Sequence, residues 1–375
     1  MIRLAVVCDL MEESWPSMNL VSEMLFKHLQ TEHSAEIEAI RICPQMKRKF
    51  MRLPFAKEKA FALNADRLLN RLRYYPKYLR RANGFDLFHV SDHSYANLVH
   101  YLPRNTTGVF CHDLDTFRCL LEPRKEPRPR WFKAIARHIL SGLQKARIVF
   151  HSTRAVREEI ERHGLLDTSR LVHAPYGTAE EFSPKTTTDE IKHHAIAKLN
   201  GAPFLLHVGS CIQRKRIDVL LEVFATVRMS HPKLKLVQVG GEWTFEQRKQ
   251  IARHSLENYI YQLRNLKRAT VAEFYRRAEL VLLPSEAEGF GLPIIEALAC
   301  GSIIVASDIA VIREVGENAV VYCPTADVET WAETVDKLLR LPALAPEKEI
   351  RLSRANCFSW SRHAQIIAEA YKRLL

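Results

Sequence analysis

The chain lacks any long apolar run. Its hydrophobic stretches, such as Ser302-Ile303-Ile304-Val305-Ala306, end at a charged or turn residue well short of the roughly 18 residues that cross a bilayer, so no transmembrane helix is expected. It also lacks a secretory leader pattern. The opening residues, Met1-Ile2-Arg3-Leu4-Ala5-Val6-Val7-Cys8-Asp9, are apolar over too short a span and reach an aspartate where a cleavage site would be needed. They read as a first buried strand. The eight cysteines contain no C-x-x-C pair and several fall inside apolar segments, which argues against a zinc site or a disulfide framework and points to a reducing cytoplasm. No repeat of fixed period and no low-complexity tract is present beyond one basic stretch. What remains is a chain of 375 residues, 47% hydrophobic, long enough for two cores rather than one.

The net charge of +12 suggests nucleic acid until it is mapped along the chain. Between Lys47 and Arg81 stand twelve lysines and arginines against only Glu58 and Asp66, so this one stretch carries +10 and the remainder is nearly neutral. Leu68, Leu69, Leu72, Tyr75 and Leu79 recur there at near-helical spacing, preceded by Phe50, Leu53 and Phe55. A basic amphipathic helix of this kind suits an anionic membrane surface. The same pattern fits an ordinary helix whose apolar stripe faces its own core. No nucleic-acid recognition motif accompanies it, and no nucleic-acid partner is expected.

Short β-branched apolar segments alternate with helical patterns: Leu4–Val7, Leu87–Val90, Gly108–Cys111, Ile148–Phe150 and Leu171–His173. A second series follows at Phe204–Gly209, Leu234–Gly240, Leu280–Leu283 and Ile303–Val305. Alternation of this kind specifies parallel strands with crossover helices, here an α/β chain of two Rossmann-like units facing a central cleft. The expected division is residues 1–180, a polar linker over 181–198, a second domain over 199–357 and a closing helix over 358–375.

Ligands in open parallel sheets bind beyond the carboxyl ends of the strands, so the residues after each strand are the informative ones. After Leu283, the loop Glu286 to Leu292 opens a helix, with Pro293 where its missing N–H costs nothing. Gly289 and Gly291 allow close approach of backbone to a ligand, and a helix start favours an anion such as phosphate. Glu288 lies in the loop and Glu296 in what reads as the first helical turn, so two carboxylates can accept hydrogen bonds from hydroxyl pairs on different parts of one extended ligand. A nucleoside diphosphate sugar has a ribose diol, sugar hydroxyls and a pyrophosphate between them. After the strand ending at Gly209-Ser210 come Arg214 and Lys215, two cations suited to that pyrophosphate.

In these segments the sequence resembles the family 4 retaining glycosyltransferases of GT-B fold, over essentially the whole chain. The carrier motif is Glu288-Gly-Phe-Gly-Leu-Pro-Ile-Ile-Glu296, with Pro284-Ser285 before it and Ala297-Leu298-Ala299-Cys300-Gly301 after it. Val208-Gly209-Ser210 with Arg214-Lys215, Val239-Gly240-Gly241, Pro175-Tyr176-Gly177 and Phe358-Ser359-Trp360 are similar in order and spacing. The resemblance implies a metal-independent hexosyltransferase without cofactor. Its donor would be a UDP- or GDP-hexose, and its acceptor a glycan or a lipid-linked cell-envelope precursor. The location implied is cytoplasmic, peripheral on the inner face of the membrane if residues 47–81 bind lipid. It assigns Glu288, Gly289, Phe290, Gly291 and Leu292 to the donor sugar, Glu296 to the ribose, and Gly209, Ser210, Arg214 and Lys215 to the diphosphate. His112 would lie against the donor sugar, and the last helix would return to the first domain.

Two departures from the family pattern stand out. The first loop reads Glu12-Glu13-Ser14-Trp15-Pro16 where a Gly-Gly pair is usual, and Ser210 stands where arginine is frequent. Asp113-Leu114-Asp115 matches the D-x-D metal signature of a different glycosyltransferase fold, but no metal is assigned to it. Two other functions share these features: a GT-B sugar phosphorylase or epimerase, and a non-catalytic nucleotide-sugar-binding scaffold at the membrane.

Overall fold

The computed structural model describes residues 1–13, 15–53, 60–185, 196 and 199–375. The chain divides into two compact units, Met1–Tyr176 with Trp360–Leu375, and Gly177–Ser359. Most of the stretch read as a linker, 186–195 and 197–198, lies outside the described residues, as does Phe55.

In the first unit six strands, β1 (Ile2–Val7), β2 (Ile37–Ile42), β3 (Leu87–Val90), β4 (Thr107–Cys111), β5 (Ile148–His151) and β6 (Leu171–His173), form a sheet in the order β2-β1-β3-β4-β5-β6. In the second, β7 (Phe204–Gly209), β8 (Lys235–Gly240), β9 (Ile260–Leu263), β10 (Leu280–Leu283), β11 (Ile304–Ser307) and β12 (Val321–Cys323) are ordered β12-β11-β10-β7-β8-β9. Every pairing is parallel. Central strands β3, β4, β5, β10 and β11 are buried along their whole length, as sheets covered on both faces require. These are two Rossmann-like units, the α/β architecture that the sequence pattern specifies.

Strand order fixes where each unit can bind. The chain reverses direction across the sheet between β1 and β3 in the first unit and between β7 and β10 in the second. A crevice opens at such a switch point because the helices following the two strands leave to opposite faces. The loops after β7 and β10 are those that carry Arg214, Lys215 and Glu288.

The last helix, Trp360–Lys372, belongs to the first unit. Its fully buried Tyr371 places its hydroxyl 3.0 Å from His89 Nδ1 and donates to the Phe88 carbonyl at 3.1 Å, against the middle of the sheet. Glycine at 108 makes room for it. A Cβ there would lie 2.3 Å from the Tyr371 hydroxyl and 2.9 Å from the Phe150 ring.

The basic stretch folds differently from a free amphipathic helix. Asp66 accepts the N–H groups of Lys49, Phe50 and Met51 at 2.9 to 3.0 Å, and Asn70 exchanges hydrogen bonds with the Lys47 backbone. Tyr75 and Leu79 join the core of the unit. Arg67 and Arg71 turn to Glu13: Arg67 reaches its carbonyl at 2.9 Å and Arg71 clamps its buried carboxylate with two donors. Among the described residues no helix is long and apolar enough to cross a membrane.

Gly108→Ala should cost about 1–3 kcal/mol of stability by overpacking, read from urea midpoints. In a Tyr371→Phe background, which removes the clashing oxygen, the cost should shrink. An equal cost in both backgrounds would show that Tyr371 does not set the requirement for glycine.

Candidate functional site

The site in the second unit is assembled from two strand ends. After β7, Gln213–Lys215 make one tight turn and Arg216 takes a left-handed conformation (φ 47°, ψ 48°) that starts the helix Ile217–Ser230. After β10, the loop runs from Pro284 to Gly291, whose φ of +90° suits glycine and turns the chain into the helix Leu292–Ala299 with Pro293 in its first turn. The Glu286 N–H donates to the Arg214 carbonyl at 2.9 Å, tying the two loops together by backbone alone.

Charges then lock the join. The Lys215 ammonium lies 2.5 Å from Glu288 Oε1, and Arg214 Nη1 donates to the Ala287 carbonyl at 2.8 Å and sits 3.5 Å from Glu288 Oε2. The Glu288 and Lys215 side chains are only 8% and 10% exposed, so neither charge could stay there without the other. Burial works to raise the Glu288 carboxyl, but Lys215 and Arg214 outweigh it and hold the group below the usual carboxylate range. Beneath them His207 is fully buried, with Nδ1 2.9 Å from the Leu282 carbonyl, and burial lowers its pKa to about 4, leaving a neutral ring. The sequence reading did not single out His207. Its place on a strand facing Lys215 was the signal.

Glu296 stands apart from this cluster. It falls in the second turn of its helix rather than the first, five residues after Gly291, so the helix dipole does little for it. Instead it accepts from the buried Tyr275 hydroxyl at 3.1 Å, and burial pushes its pKa up to about 7 against the opposing pull of Tyr275 and Arg268. The two carboxylates of the motif therefore have opposite electrostatic characters. Phe290 is buried edge-on against Phe358 at 5.6 Å, so the Phe-Ser-Trp segment braces the glycine-rich loop. Leu292 is buried, Gly289 lies between Glu288 and Phe290, Gly209 ends β7, and Ser210 is exposed.

His112 belongs to the first unit, directly after β4. It is 4% exposed and held at both nitrogens, Nε2 donating to the Ser91 carbonyl at 2.8 Å and Nδ1 accepting from the Tyr176 hydroxyl. Burial lowers its pKa, so the ring is neutral. Around it the switch point of the first sheet gathers Asp9 after β1 and Asp92 and His93 after β3, all buried. Burial, with Asp92 adding to it, raises the Asp9 carboxyl well above the usual range. Asp92 accepts from the Ser94 N–H at 2.6 Å and lies 3.4 Å from His93. The rule that pointed to Glu288, residues just after a central strand, finds these three as well.

The altered first loop is filled by side chains. Glu12 accepts the Met46 N–H at 3.0 Å and Glu13 receives Arg71, whose guanidinium lies 4.1 Å from the Tyr95 ring centre. Asp113 accepts the Asp115 N–H at 3.0 Å, and Asp115 lies 3.5 Å from Arg118. Among the described residues no group of three His, Cys, Asp or Glu side chains is arranged to hold a metal ion.

Two parallel six-stranded sheets, with this constellation at the switch point of the second, define a GT-B architecture. Residues 189–356 match the family described as glycosyl transferases group 1. It is 27% identical over 265 residues to a D-inositol 3-phosphate glycosyltransferase of Pseudarthrobacter chlorophenolicus, covering 67% of this chain and 61% of that protein. The chain thus spans about three fifths of that relative's length. It is 25% identical over 336 residues to the O-antigen chain mannosyltransferase B of Escherichia coli, covering 85% of this chain and 86% of that protein. The fold superposes on Anabaena HepE, solved in complex with UDP-glucose, with a TM-score of 0.71 at 15% identity over 100% of both chains.

The raised pKa of Glu296 carries a stability consequence. Between its ordinary 4.5 and about 7 the folded protein keeps a proton that the unfolded chain has released, so stability falls as pH rises through that window and is level above it. Glu296→Gln keeps the acceptor for Tyr275 and removes this cost. The variant should be more stable than the parent by up to about 3 kcal/mol at pH 8 and equal to it near pH 4, by urea unfolding at both values. Equal midpoints at pH 8 would mean that the carboxyl ionises freely in the fold.

Proposed function

We propose that the protein transfers a hexose from a nucleotide-sugar donor to an acceptor hydroxyl with retention of anomeric configuration, and that the second unit holds the donor. The observation that carries this reading is the cluster of buried Glu288 and Lys215 with half-buried Arg214 across the β7/β10 switch point. In the donor-free protein the carboxylate offsets one of the two positive charges. A diphosphate arriving at the strand ends offers Lys215 and Arg214 a second anion, and Glu288 then turns its lone pairs to sugar hydroxyls. Gly289, Phe290, Gly291 and Leu292 line the same approach with backbone at the helix start. Glu296, on the far side of that helix start, suits the ribose diol because an acceptor near its titration point can take a hydroxyl hydrogen bond at neutral pH.

The chemistry follows from the charges. The bond between the anomeric carbon and the diphosphate oxygen breaks, negative charge grows on that oxygen, and Lys215 and Arg214 are already in place to stabilise it without reorganising. Because two fixed cations meet the leaving group, the reaction has no need of a divalent metal. The acceptor oxygen bonds to the anomeric carbon on the face the diphosphate leaves, and its proton passes to the departing phosphate. His112, in the first unit, is neutral and held at both nitrogens, so no proton transfer is assigned to it. A glycan or lipid-linked cell-envelope acceptor is in keeping with the O-antigen chain named for the Escherichia coli relative.

Calorimetric titration with UDP, GDP, ADP and dTDP and their hexose conjugates, in the presence of a chelator, tests the donor site. One nucleotide series should bind, with UDP the first to try given the HepE complex. Lys215→Met should weaken that binding about 10- to 100-fold, the loss of a charge-assisted contact. Binding that appears only with added metal, or that Lys215→Met leaves unchanged, would sink the assignment. Turnover of a bound sugar nucleotide that depends on inorganic phosphate would point to a phosphorylase instead.

A further inference from the structure

The helix Arg130–Lys145 in the first unit has an apolar stripe that outruns its core. Ala136, Ile139 and Leu143 lie on one face and are buried, and Phe132, four residues before Ala136 on the same face, is 37% exposed. Trp131 beside it is 61% exposed, the two rings meet edge to face with centres 5.8 Å apart, and neither joins the hydrophobic core of the unit. Two large aromatics at one helix start are more than the scattered exposed apolar residue normal on a surface.

The charges around them are arranged against the helix. Arg128, Arg130 and Lys133 sit at its N-terminal end, where cations oppose the dipole, and no acidic residue stands in the first turn. The N-cap is Pro129, which supplies no side-chain cap. Between Arg124 and Arg137 there are six cations and one anion, Glu126. Glu126 pairs with Arg128 at 3.4 Å and Lys125 turns to Glu122 at 3.2 Å, while Arg124, Arg130, Lys133 and Arg137 have no carboxylate partner among the described residues. Arg128 lies over the Phe132 ring at 5.4 Å, so its charge borders the aromatic pair directly. Local stability explains none of this placement.

We infer that the start of this helix is a docking surface for an anionic lipid bilayer. Trp131 and Phe132 enter the interfacial layer, where an indole and a phenyl ring are favoured, and Arg124, Arg130, Lys133 and Arg137 meet headgroup phosphates in the same plane. The open N–H groups of the helix start face the same anionic layer. This places membrane contact on a different element from the basic stretch at 47–81, where Arg67 and Arg71 are engaged by Glu13. The inference does not depend on the donor-site reading.

Co-sedimentation with sucrose-loaded vesicles of phosphatidylcholine, with and without about 30 mol% phosphatidylglycerol, tests it. The protein should sediment with the anionic vesicles and stay in solution with pure phosphatidylcholine. Arg130→Gln/Lys133→Gln/Arg137→Gln should lower the partition coefficient about a hundredfold, at about fivefold per cation. Trp131→Ser/Phe132→Ser should lower it about tenfold or more, with the thermal midpoint of both variants serving as the folding check. Wild-type protein that stays in solution with both vesicle types would overturn the inference. So would variants that sediment like the parent, or preference for a DNA oligonucleotide over the anionic vesicles in direct competition.

Discussion

The second unit depends on one constraint: the Glu288 carboxylate is too buried to be charged alone. At 8% side-chain exposure it requires a counter-charge within contact distance, and Lys215, itself 10% exposed, has the same need in reverse. Each residue comes from a different strand end, so satisfying the pair draws the loops after β7 and β10 together at the switch point. The Glu286 to Arg214 backbone bond, the Arg214 contact with Ala287 and the Phe290 to Phe358 packing all lie along that join. A buried ion pair is a weak source of net stability, and its value here is positional. It holds two cations and a carboxylate in one geometry at the switch point, the preorganisation on which the proposed reaction would draw.

The same motif places its second carboxylate in the opposite situation. Glu296 has a phenol rather than a cation as its nearest partner, and its pKa rises to about 7 where that of Glu288 falls. Two glutamates eight positions apart on one segment thus do different work because of what lies across from them. In the proposed reading, the ionised group competes with a diphosphate for the cations and the group near neutrality trades hydrogen bonds with an uncharged diol. The division follows from partners contributed by other elements, Lys215 from the β7 loop and Tyr275 from the helix Arg268–Arg277.

Sequence pattern revealed nine of the twelve strands among the described residues, and the three it passed over share a place in their sheets. β2, β9 and β12 are all edge strands, with half-exposed positions along their length instead of a continuous buried run. The edge strand β6 was still found, because Leu171-Val172 keeps an apolar block, whereas Glu38 and Arg41 interrupt β2 and Gln262 interrupts β9. The motif around Glu288 was legible because glycine, proline and carboxylate spacing are local properties. Its consequences were not, since the pairing with Lys215 and the isolation of Glu296 from charge depend on residues 73 and 21 positions away. The helix-turn assignment of Glu296 slipped for a related reason. Proline marks the first turn of a helix, but the last residue before it, Gly291, sets where the counting starts.

The basic stretch shows most clearly how charge counted along a sequence differs from charge available on a surface. Its +10 was correct as arithmetic, yet two of its arginines close on Glu13 of the altered first loop within the fold. An arginine so engaged cannot also neutralise a lipid phosphate without leaving Glu13 buried and unpaired, a cost well above what a headgroup contact returns. Arg124, Arg130, Lys133 and Arg137 have no carboxylate partner among the described residues and stand near exposed aromatics, although a simple tally ranks that segment second. Glu13, in the first loop, therefore takes Arg67 and Arg71 out of the charge that the 47–81 stretch can present and leaves the other cations of that stretch as they are.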